Sequence, residues 1–287
     1  MKSTTIFSGV FVFLRTTVSF AHPQILNHFL NLRDNDANPA DLSNIKSFAA
    51  IGDSYAAGIG AGKVVDSGCS RYDDAYPALM QRLAFGGKPK FTFLACSGDK
   101  SEKVIDQAKK LEKGSQDLIT VSAGGNDVLL TDVLKACVYL PGNQGKCDQA
   151  LKDTEAAIDK DLEKGVDDLL TALQDKLSPQ GVAIYTLYAQ FFNADTDACT
   201  KQTWGWFTTT PGVSGVKLTK ENRKKMNDLV LKANKKISTT IASQAGSTRP
   251  HLNVVIAEWD QVVSGSKGRF CEEGSLHHVA NSCQTVD

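Results

Sequence analysis

The stretch FAAIGDSYAAGIG, Phe48 to Gly60, closes an apolar run with a glycine, an acid and a serine. A serine hydroxyl is a weak nucleophile until a base takes its proton, and attack on a carbonyl needs fixed donors for the oxyanion that forms. Glycine lets the chain turn steeply and brings backbone N–H groups close to a substrate oxygen. Two further glycine turns follow downstream: Gly98 ends KFTFLACSG, and Gly124-Gly125-Asn126-Asp127 ends QDLITVSAGGND. Gathered around one point, the N–H groups of Ser54 and Gly98 and the side-chain amide of Asn126 would cradle a developing negative charge. Ser54 would attack, and Asp127 would brace the Asn126 loop. Each tripeptide alone is ordinary turn chemistry. Their order, each after a strand-like run, is what points to acyl transfer.

Five apolar segments read as strands: 45–52, 90–98, 116–127, 181–192 and 251–259. Helical periods separate them. The first, SEKVIDQAKKLEKG, has Ser101 as its cap and Gly114 as its stop. The second, 147–177, repeats Ile158, Leu162, Val166, Leu169 and Leu173 on one side. The third, 218–243, is capped by Thr219 and carries Met226, Val230, Ile237 and Ile241 inward. Strands alternating with helices predict a parallel sheet covered on both faces, a three-layer α/β/α sandwich. Ligands of such sheets bind beyond the carboxyl ends of the strands, so the three glycine turns are expected to share one edge.

The chain has 287 residues, 41% hydrophobic and 22% charged, with 32 basic and 32 acidic side chains. This is long enough for a sizeable core, and the balanced charge gives no reason to expect a nucleic-acid partner. The opening MKSTTIFSGVFVFLRTTVSFAHP has an early lysine, an apolar run from Ile6 to Leu14 and small residues before Ala21. It reads as a secretory signal peptide over 1–21, followed by an exposed arm over 22–44. No later run is long enough to cross a bilayer. Seven cysteines fit an oxidising destination. Spacing alone does not fix their connectivity; the expected pairs are Cys69–Cys96, Cys137–Cys147 and Cys199–Cys271, leaving Cys283 over. Cysteines and histidines do not occur at ligand spacing, so neither metal nor cofactor is expected.

GDSYAAG, ACSGDKS and GGND resemble the first three sequence blocks of the SGNH hydrolases, the GDSL-type lipases and esterases. The similarity extends to YPALMQRL, YAQFFN, LTKENRKKMNDLVLKAN and GRFCEEG, and so spans 45–274, where the chain looks like secreted fungal and actinobacterial members. The resemblance implies Ser54 as nucleophile, an oxyanion hole of Ser54, Gly98 and Asn126, and a flavodoxin-like sheet. An α/β-hydrolase elbow, Gly-x-Ser-x-Gly, is excluded because Ala56 stands where its last glycine is needed.

The family's base is a histidine in a fourth block, with an aspartate three residues ahead of it. Of five histidines, His22 and His28 lie in the arm and His251 stands at the very start of the last strand, at the wrong end of a parallel sheet. His277 and His278 remain, but Gly274 and Ser275 stand three residues before them, and Glu272 and Glu273 are off register. The base is therefore His277 or His278, or else 275–287 is a shortened, divergent tail without one. The expected function is that of a secreted, monomeric serine esterase or lipase acting on a small-molecule, lipid or glycan ester. A carbohydrate deacetylase on the same site, or an impaired ester- or glycan-binding homologue, is the alternative. The aromatic loop WGWFTTTPGVSG, 204–215, either walls the pocket or covers the surface.

Overall fold

A computed structural model describes residues 18–19, 42–140, 142–200, 215–244, 249 and 252–273. The chain divides into two compact units. The first comprises 1–126, 163–187 and 237–258; the second comprises 127–162, 188–236 and 259–287.

The first unit holds the sheet. Its strands are β1 (Val18–Ser19), β2 (Ser47–Gly52), β5 (Lys90–Phe93), β6 (Gln116–Ser122), β7 (Leu177–Thr186) and β8 (Val254–Ala257), while β3 (Val64–Asp66) and β4 (Arg71–Tyr72) form a separate ribbon. Across the sheet the order is β1-β8-β7-β6-β2-β5, antiparallel only between β1 and β8. Taking the parallel strands in chain order gives 2-1-3-4-5, the flavodoxin-like arrangement that the sequence predicts. The parallel part of the sheet starts at β2, moves to one side for β5, then returns past β2 for β6. That reversal leaves a crevice beyond the carboxyl ends of β2 and β6.

The parallel strands lack the polar alternation of a half-exposed sheet because both faces are covered. Phe48, Ala49, Ala50 and Ile51 of β2 and Ile119 and Val121 of β6 are all fully buried. Phe48 stacks on Phe91 at 4.9 Å between ring centroids and tilts against Phe85 at 5.4 Å. The element boundaries differ from expectation in ways that hydrogen bonding explains. The second strand ends at Phe93 rather than Gly98, yet the ladder continues as Leu94 N–H donates to Ala50 O and Cys96 N–H to Gly52 O. The helix after it covers Ser101–Lys109, with Lys100 as N-cap and Ser101 buried as its first residue. The segment 147–177 is two helices, Gln144–Lys160 and Leu162–Gln174. Asp161 closes the first, and Asp161 and Glu163 suit the positive end of the second.

In the second unit, the long helix Lys220–Gln244 contributes residues 220–236, and Thr219 Oγ1 accepts from Asn222 N–H as a cap. Asn227 pairs with both N–H and C=O of Phe192, and Asn234 does the same with Tyr188. Arg223, fully buried, donates to the carbonyls of Asn193 and Thr196. Burial lowers the pKa of its guanidinium from the usual value. The three disulfides are those expected: Cys69–Cys96 in the first unit, Cys137–Cys147 and Cys199–Cys271 in the second. Among the described residues no helix is long and apolar enough to cross a membrane.

At the amino end of the sheet, the Asp117 carboxyl ties three neighbouring strands. It accepts from Lys46 N–H at 2.9 Å, Ser47 N–H at 3.0 Å, the Ser47 hydroxyl at 3.1 Å and the Ser178 hydroxyl at 2.9 Å. Burial acts to raise its pKa, but these hydrogen bonds outweigh it and hold the group below the usual carboxylate range. A folded-state pKa lowered in this way stabilises the protein above the unfolded value of about 3.9, and the gain is lost as pH falls through the folded value. Asp117→Asn should cost about 1–3 kcal/mol at pH 7 in denaturant unfolding. The cost should shrink towards zero in strong acid.

Candidate active site

Ser54 opens a four-residue helix, Ser54–Ala57, directly after β2. Gly52 makes that turn possible. Its φ is +138°, and a Cβ there would stand 2.4 Å from the Ser122 carbonyl oxygen, so neither the conformation nor the space admits a side chain. Asp53 is the N-cap: its Oδ1 accepts from Tyr55 N–H at 3.0 Å and from the Ser122 hydroxyl at 2.9 Å, and its own N–H donates to Ser122 O. The nucleophile candidate is thereby held against β6 from both backbone and side chain. Behind it lies the buried phenol of Tyr76. Burial pushes its pKa up to about 12, and the nearby Asp53 adds to the rise, so it stays protonated in any neutral medium.

The second loop, after β5, is joined to the first. Cys96 N–H donates to Gly52 O at 2.9 Å, and Asp99 N–H donates to Cys96 O. Gly98 has φ +87° with open space where a Cβ would point, so its backbone conformation, rather than crowding, calls for glycine. The third loop leaves β6 through Gly124-Gly125. Asn126 reaches back across it, and Nδ2 donates to Asp99 O at 2.9 Å. Ser54 and Asn126 are half-buried and Gly98 is exposed, so all three are within reach of a solute. The sheet therefore brings together the turns of Ser54, Gly98 and Asn126, from the carboxyl ends of three adjacent parallel strands. His277 and His278 lie outside the described residues, as do His22, His28 and His251 and the aromatic loop up to Ser214.

A residue not expected from sequence sits at the centre of these bonds. Gln107, on the helix Ser101–Lys109, is 3% exposed, accepts from Gly52 N–H at 2.7 Å and donates to Gly52 O at 2.9 Å and Asp99 Oδ2 at 2.7 Å. The signal for it is a polar residue on an apolar stripe: Val104, Gln107, Ala108 and Leu111 follow the spacing of a buried face. Hydrogen bonds of Asp53, Asp99, Gln107 and Asn126 are among those that cross between the loops.

A model of the GDSL-like lipase/acylhydrolase family matches residues 50–254. The chain belongs to that family. Among curated members, Lipase 1 of Streptomyces coelicolor is 31% identical over 163 residues, covering 56% of this chain and 59% of that protein. A lipase of Streptomyces rimosus is 30% identical over 147 residues, covering 50% and 53%. This GDSL-like chain thus matches little more than half the length of those relatives. Its fold is also that of phospholipase A1 from Streptomyces albidoflavus, with TM-score 0.62 and 23% identity over 79% of this chain and 84% of that one.

Within this GDSL-like site, Asp53 is the clearest local determinant. Asp53→Ala should lower stability by about 1–2 kcal/mol in chemical unfolding, the usual cost of losing a helix cap. Asp53→Asn keeps an acceptor oxygen for Tyr55 N–H and should cost less.

Proposed function

We propose that the protein is a serine carboxylic-ester hydrolase with Ser54 as nucleophile. The reading is supported by the junction of the Ser54, Gly98 and Asn126 turns on three adjacent strand ends, through Gly52, Asp99 and Asn126. The names of its relatives, two lipases and a phospholipase A1, agree with it.

In this mechanism the Ser54 hydroxyl loses its proton to a base and its oxygen bonds to the ester carbonyl carbon. The carbonyl oxygen becomes an anion, met by the N–H groups of Ser54 and Gly98 and the amide of Asn126. An amide carries two N–H bonds. The one on Asp99 O fixes the plane of Asn126, and the mechanism uses the other. Collapse expels the alcohol, which takes the proton from the base. Water then attacks the acyl-enzyme by the same route, releasing the acid and restoring the Ser54 hydroxyl. The base in this reading is His277 or His278. Three disulfides indicate an oxidising, extracellular setting.

Hydrolysis of p-nitrophenyl butyrate tests the reading. Ser54→Ala should reduce turnover at least about 10³-fold and abolish the nitrophenol burst. Asn126→Ala should lower kcat about 10²- to 10³-fold with little change in KM. Replacing both His277 and His278 by alanine should flatten the neutral-pH limb of the rate profile; an unchanged profile would show that neither is the base.

A further inference from the structure

We propose that Gln107 is a positioning residue for the oxyanion loop, acting through Asp99 on Gly98 and Asn126. The inference rests on the serine-hydrolase reading and assigns a role to a side chain that touches no reacting atom. If Gln107 only filled the core, a leucine between Val104 and Ala108 would serve as well. Instead its carboxamide makes three hydrogen bonds in two directions. One pair closes on Gly52, whose peptide leads directly into Asp53 and Ser54. The remaining N–H grips the Asp99 carboxyl from the far side of the same amide.

Asp99 is the hinge of the arrangement. Its side chain is held by Gln107, its N–H by Cys96 O at 3.2 Å, and its C=O receives the Asn126 amide at 2.9 Å. The Gly98 N–H lies one residue earlier on the same turn, with φ +87°. Moving Asp99 therefore moves both donors that Ser54 does not supply itself. Gln107 sets the distance between the nucleophile turn and those two donors with a rigid planar group, on a helix packed against β2. Oxyanion stabilisation depends steeply on where donors point, so a loosened Asp99 should weaken the transition state more than substrate binding.

The test compares Gln107→Leu and the isosteric Gln107→Glu with the parent, each at a concentration of active serine set by titration with a nitrophenyl phosphonate. Gln107→Glu, when ionised, gives neither hydrogen and faces Asp99 with like charge, so it serves also if Gln107→Leu fails to fold. On p-nitrophenyl butyrate, kcat per titrated serine should fall about 10- to 100-fold while KM stays within about twofold. A double-mutant cycle with Asn126→Ala supplies a readout that a merely structural role would not move. If Gln107 acts through the oxyanion loop, its loss should cost several-fold less in the Asn126→Ala background than in the parent, the remainder falling on the Gly98 donor. An unchanged kcat, or losses that multiply in the double variant, would overturn the assignment while Ser54→Ala remains inactive. Turnover that survives Ser54→Ala would overturn the serine reading and this inference with it.

Discussion

A buried strand cannot simply stop. Where the ladder of β2 ends, at Gly52, its N–H and C=O still need partners, because an unpaired backbone group away from water costs as much as a lost hydrogen bond. Here the partners come from both sides: Cys96 N–H and the Gln107 amide meet Gly52, and Ser122 O takes the Asp53 N–H. Satisfying that single strand end draws in the loop after β5 and fixes the loop after β6. The candidate site is then placed as a consequence. Ser54 stands on the turn that the Gly52 pairing creates, and the two other donor-bearing turns cannot leave without breaking it.

One solution recurs through the molecule. A carboxamide presents an acceptor and a donor side by side, as a neighbouring peptide would, and can stand in for a missing strand. Gln107 does this for Gly52 in the first unit; in the second, Asn227 does it for Phe192 and Asn234 for Tyr188. At the opposite end of the sheet the N–H groups of Lys46 and Ser47 face a carboxyl instead, from Asp117.

The fold was legible because its signals are periodic and local. Buried parallel strands read as unbroken apolar runs, and the glycines at 52, 98 and 124 mark where positive φ is required. Ser54, Gly98 and Asn126 were legible as members of one order of turns. What escaped was relational. Nothing in the local sequence says that Gln107 faces Gly52, 55 residues earlier, because that depends on how the helix after β5 lies on the sheet. The helix break at Asp161 escaped for a similar reason: Ile158 and Leu162 keep perfect helical spacing across it, and both are buried. Strand ends were overrun because apolar residues such as Leu187, Tyr188 and Phe192 continue to be buried after the ladder has stopped.

The ribbon of β3 and β4 adds a covalent aspect to this edge. Cys69 is bonded to Cys96 across a separation of 27 residues, Ser97 N–H donates to Cys69 O, and Arg71 reaches Ala95 O. Residues 95–97, which lead into Gly98, are thus strapped from outside by a hairpin that is itself locked by sulfur. Reduction of that bond would leave the outer strap relying on non-covalent ties, such as these hydrogen bonds and the Arg71 guanidinium over the Phe93 ring. The thiol balance of the surroundings during synthesis therefore bears on the shape of this loop as well as on the survival of the folded chain.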